Sequence, residues 1–111
     1  METVRASVMW PGAEIDVLTV FVEPTPDLWE ADCVDNSFSV FVLLALDENE
    51  EETGEIAGIE IVGFLDFDCW DEIPDLPILW QLPGQEPLPL VELLKQQQRQ
   101  LREREGVLTS S

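Results

Sequence analysis

Histidine and tyrosine are absent from the 111 residues, and lysine occurs once, at Lys95. Without an imidazole there is no Ser–His or Cys–His nucleophile pair. Without a phenol or a second amine, the remaining acid–base chemistry belongs to carboxylates alone. Nothing in the spacing of the 24 acids singles out a catalytic pair. Cysteine is scarce too: Cys33 and Cys69 form no CxxC, and a structural zinc site needs about four Cys or His ligands. Both thiols are expected to be free and partly buried, as suits a reducing compartment. No apolar run reaches the roughly 18 residues of a membrane span. The N-terminus lacks a basic segment followed by an apolar one, so no signal peptide is expected and the cytoplasm is the default location.

Positive charge is the most unevenly missing feature. Residues 1–46 hold eight acids against Arg5, residues 47–75 hold twelve acids and no base, and residues 76–111 balance four acids with four bases. The net charge of −19 therefore lies entirely in the first 75 residues. Such a field repels nucleic acid and anionic membrane surfaces, so neither is expected as a partner. It attracts a basic protein or a cation.

What is present predicts one α+β domain over 1–111. Residues 1–67 carry the sheet, 68–87 an ordered extended segment, and 88–105 a C-terminal helix. Val4, Ala6, Val8 and Trp10 alternate as on a strand, and Pro11-Gly12 turns the chain into a second strand, Asp16–Val22. Asp27–Cys33 reads as a single helical turn or a loop, followed by a turn at Asp35-Asn36. Ser37–Asp47 is the strongest strand pattern, with Phe38, Val40, Val42, Leu44 and Leu46 on one face. The charged loop Asp47–Gly54 leads to a returning strand, Glu55–Val62. The expectation is an antiparallel sheet of about four strands in two hairpins. From Asp68 to Pro89, five prolines exclude regular helix, yet Trp70, Ile78, Leu79, Trp80 and Leu82 make the stretch too apolar for a free linker. Leu90, Leu93, Leu94, Gln97 and Leu101 then follow helical spacing, with Pro89 in the first turn and Gly106 as a cap.

Two strands, Glu14-Ile15-Asp16-Val17-Leu18-Thr19-Val20 and Gly54-Glu55-Ile56-Ala57-Gly58-Ile59-Glu60-Ile61-Val62, together resemble a small bacterial domain family of unknown function. That family's closing strand has a Gly-Ile-Glu-Ile-Leu motif. The likeness covers roughly residues 4–65 and implies no enzymatic activity. It implies a partner-binding, antitoxin-like role.

The candidate sites follow. Asp66, Asp68 and Asp71 are the weak metal candidates: Asp66-Phe67-Asp68 copies the opening of a calcium loop, but Trp70 stands where a third oxygen ligand belongs and Asp71 where the loop needs glycine. Hydrated carboxylates are the bland alternative, and no cofactor is expected. Trp70, Leu79 and Trp80 either fill the core with Phe64 and Phe67 or anchor a partner. Glu50, Glu51 and Glu52 are the acids best placed to meet a basic one. Leu90, Leu94, Gln97, Leu101, Arg104 and Leu108 have coiled-coil spacing, with packing on the chain's own sheet as the alternative. The expected function is a non-enzymatic binding or scaffold domain, a homodimer, because strands apolar on both faces exceed what one helix covers. The alternative is an antitoxin-like or nucleic-acid-mimicking inhibitor that captures a basic protein.

Overall fold

In a computed structural model that describes residues 2–34 and 38–105, β1 (Glu2–Met9) and β2 (Val17–Glu23) form the first hairpin. Asp16 ties its loop to the segment 63–65, although its φ of 47° is one that L residues rarely adopt. Its carboxylate accepts hydrogen bonds from the Trp10 indole N–H and the Leu65 amide, both at 3.1 Å. Its carbonyl accepts from the Gly63 amide at 2.8 Å.

After β2 the chain crosses to the outer edge and runs as β3 (Trp29–Cys33), antiparallel to β4 (Val40–Leu46). Segment 27–33 is thus neither a helical turn nor a loop. The turn expected at Asp35-Asn36 lies outside the described residues, as do Gly106 and Leu108. β4 pairs with β5 (Glu52–Val62), the hairpin its alternation predicts, and β5 pairs with β2. Phe38 does not join the inner face: β4 begins at Val40, and Phe38 is 95% exposed.

The larger departure lies in 68–87. Two 3-10 turns, Phe64–Asp66 and Trp70–Glu72, carry the chain over one face. Then β6 (Ile78–Gln81) inserts beside β1 in parallel, and β7 (Leu88–Pro89) pairs with β6. The sheet is therefore seven-stranded and mixed, in the order β3-β4-β5-β2-β1-β6-β7, in place of the four antiparallel strands expected. The fold class remains α+β. α1 (Leu90–Glu105) follows directly, so Pro89 closes a strand just before the helix.

One face, here the front, is covered. Leu18 and Val20 of β2, Ile59 and Ile61 of β5, and Trp80 of β6 pack there against Phe64, Phe67, Leu90, Leu93, Leu94 and Leu101. α1 thus serves its own sheet. Its polar second half contributes as well. Gln98, and not Gln97, turns inward, and its Nε2 donates to the carbonyls of Phe64 at 2.8 Å and Phe67 at 2.7 Å. Arg102 Nε donates to Leu65 O at 2.7 Å. Phe64 O already accepts the turn's own bond from the Phe67 amide at 3.2 Å, and the helix adds side-chain donors to it and to the carbonyls of Leu65 and Phe67. Gln98→Leu keeps the volume and takes its donor from buried Phe67 O, while Phe64 O retains the Phe67 amide. It is expected to cost about 2 kcal/mol, read as a lower urea midpoint with unchanged slope.

Candidate interaction surfaces

The opposite face of the sheet, here the back, has a different make-up. Cross-strand register sets Met9, Thr19, Glu60 and Phe41 in one row, and Ser7, Phe21, Gly58 and Leu43 in the next. Leu79 of β6 stands beside Thr3 on this face. Its own cluster is small: Leu43, Ala45 and Ala57, with Phe21 packed against them. The Phe21 ring meets Trp29 edge-on at 5.5 Å, which closes a lid over that cluster. The helix and the 3-10 turns contribute side chains to the front cluster only. Met9 is 55% exposed, Trp29 42% and Val62 40%. Among the described residues that the register pairs, the charged side chains on this face are Arg5, Glu23 and Glu60. A face with a net charge of −1 thus belongs to a chain of −19.

A bulge makes the back cluster possible. Leu43 faces Gly58 while Leu44 faces Ile56, so Ala57 is an extra residue on β5. Ala57 and Gly58 both lie in the back layer, Ile56 and Ile59 in the front.

The second surface is the end of the sheet where β3 begins. Leu46 donates its amide to Leu28 O at 3.0 Å, which places the start of β3 beside the β4–β5 turn. Asp47 builds that turn: its Oδ1 accepts from the amides of Asn49 at 2.8 Å and Glu51 at 3.0 Å. Glu50 adopts a φ of 62°. Glu50, Glu51 and Glu52 are exposed, so these predicted contact residues share one edge with the exposed apolar pair Leu28 and Trp29.

The other candidates scatter. Trp80 is fully buried, a core residue whose indole N–H has no acceptor among the described residues, so it serves by volume. Trp70 is half-buried, edge-on to Phe67 at 5.0 Å and under Lys95 Nζ at 5.6 Å. Leu79 is half-buried on the back face. Asp66, Asp68 and Asp71 are exposed, and no three acidic or thiol side chains among the described residues come together to hold a metal ion. Both cysteines are exposed, against the expected burial, because β3 is an edge strand and Cys69 sits on a surface bend. Desolvation raises the Cys69 thiol above its ordinary range, helped by its hydrogen bond to Asp68 and the charges of Glu72, Asp68 and Asp71. It is therefore a poor nucleophile at neutral pH. Sequence reasoning passed over β3 and Trp29. The signal available was Trp29 itself, a large apolar side chain between Asp27 and Glu30.

No protein-family model matches the chain. No curated protein and no solved structure matches it either. No helix among the described residues is long and apolar enough to cross a membrane.

Proposed function

We propose that this chain is a non-enzymatic, cytoplasmic interaction domain that works as a homodimer joined through the back face of its sheet. One observation carries the reading: a face with a net charge of −1, on a chain of −19, that leaves Met9, Val62 and Trp29 exposed. Two strongly acidic copies repel each other through their acidic surfaces, and a nearly neutral face that also exposes apolar side chains is one through which they can meet. At one residue per ~32 Å² of pleated surface, the face spans on the order of 600 Å². The rim brings this near the ~800 Å² per partner of a standard interface. The acidic remainder of the molecule then faces outward as a binding surface.

The test is sedimentation equilibrium at micromolar concentration across a salt series. Added salt screens the repulsion between copies and leaves apolar burial in place, so dimerisation is expected to hold or strengthen as salt rises. A clean monomer at all salt concentrations removes the reading.

A second reading has its own support. Leu28 and Trp29 lie exposed among Asp27, Glu30 and the carboxylates of the β4–β5 turn. An apolar anchor ringed by acids suits a basic protein partner. Its salt dependence has the opposite sign, with binding weakening as salt rises.

A further inference from the structure

The open edge of β3 has a definite chemistry. Register pairs Glu30 with Leu44 and Asp32 with Val42. The bonds Leu46 N to Leu28 O and Val34 N to Val40 O fix the alternation, so Glu30 and Asp32 turn their backbone groups toward β4. Trp29 and Ala31 turn theirs outward, where no strand among the described residues lies beside them. The side chains alternate in the same rhythm: Glu30 and Asp32 stand on one face, Trp29 and Ala31 on the other, and all are exposed. Edge strands of natural proteins are usually guarded by charges, proline or a covering segment; among the described residues this one has only the carboxylates of Glu30 and Asp32, which deter an acidic strand and admit a basic one.

We propose that β3 is a strand-addition site for an extended segment of a basic protein, with lysine or arginine at alternate positions and apolar residues between. The basic positions meet Glu30 and Asp32, the apolar ones lie along Trp29 and Ala31, and the outward backbone groups supply the ladder. The proposal rests on the second reading above and gives it a binding mode. A second copy is the wrong occupant: antiparallel pairing centred on Ala31 sets Glu30 against Asp32 twice, and directly opposed like charges are destabilising.

The test uses the full chain and a labelled peptide of alternating lysine and valine, read by fluorescence anisotropy. Its control is a peptide of the same composition with the lysines grouped at one end. The alternating peptide is expected to bind about tenfold tighter than the grouped one. Ala31→Pro removes an outward N–H and no internal ladder bond, a position where an edge strand accepts proline. It is expected to weaken binding about tenfold. The pair Glu30→Lys with Asp32→Lys leaves the backbone intact and is expected to shift preference to an alternating glutamate–valine peptide, whatever Ala31→Pro does to folding. Equal binding of both lysine peptides, with no effect of either variant, overturns strand addition while leaving general attraction to basic partners standing. No binding by any basic peptide overturns that attraction as well. Loss of the dimer in Ala31→Pro that remains folded by circular dichroism assigns the edge to self-association and also overturns the proposal.

Discussion

Replacing Gly58 with alanine is expected to lower the unfolding free energy by about 3 kcal/mol or more, out of the roughly 5–15 kcal/mol that a domain of this size possesses. A Cβ built at Gly58 would stand 2.2 Å from Val20 O, and 3.2 Å from Phe21 Cα and Val20 C. All three are backbone atoms of β2, so the clash is not relieved by turning a side chain. β2 and β5 have to separate where Phe21 pairs with Gly58, the last pair of the ladder that joins the two halves of the sheet. Gly54→Ala is the control. Gly54 has a φ of 84°, but nothing lies within 4 Å of its missing Cβ. That variant carries only the strain of a left-handed residue, about 1 kcal/mol. Thermal melts should separate the two by roughly 10 °C. Equal midpoints would mean that the Gly58 contact is relaxed at little expense.

The strands on either side of the Ala57 bulge, β4 and β5, are legible in the sequence because each is a run of alternating or β-branched apolar residues, and a charged turn joins them. Both signals are local. The helix is legible from its leucine spacing. β3 is not, because Trp-Glu-Ala-Asp-Cys has no apolar alternation and is extended only through its bonds to β4. β6 is hidden for a related reason. Four residues between prolines carry a weak signal, and their partner, β1, lies more than seventy positions away in parallel register. Gln98 looks like solvent-facing polarity in a glutamine-rich helix. Its role depends on carbonyls of a 3-10 turn some thirty residues earlier. The excess of apolar surface is the functional feature most visible in the sequence. Asp16–Val22 and Phe38–Leu46 are greasy on alternate and intervening positions alike, so a sheet built from them has two apolar faces and, among the described residues, one α-helix to cover them.

That excess leads to the second large effect. Met9→Lys combined with Val62→Lys is expected to weaken self-association by at least about 100-fold, close to 2.8 kcal/mol. Both side chains are exposed in the isolated chain, at 55% and 40%, so the monomer's own stability should change by about 1 kcal/mol or less. In the dimer each lysine is forced into a largely apolar contact whose nearest carboxylate, Glu60, is a single charge for two lysines, and a charge removed from water without full pairing is heavily penalised. The choice of lysine separates two explanations. The double variant lowers the magnitude of the net charge by two, which by itself favours association of acidic copies. Glu48→Gln with Glu51→Gln makes the same change in net charge on the β4–β5 turn, away from the back face, and is expected to leave the dimer intact or tighten it. If the back face is the interface, the lysine pair loosens the dimer in the ultracentrifuge and the glutamine pair does not. If bulk charge governs association, the two variants move together.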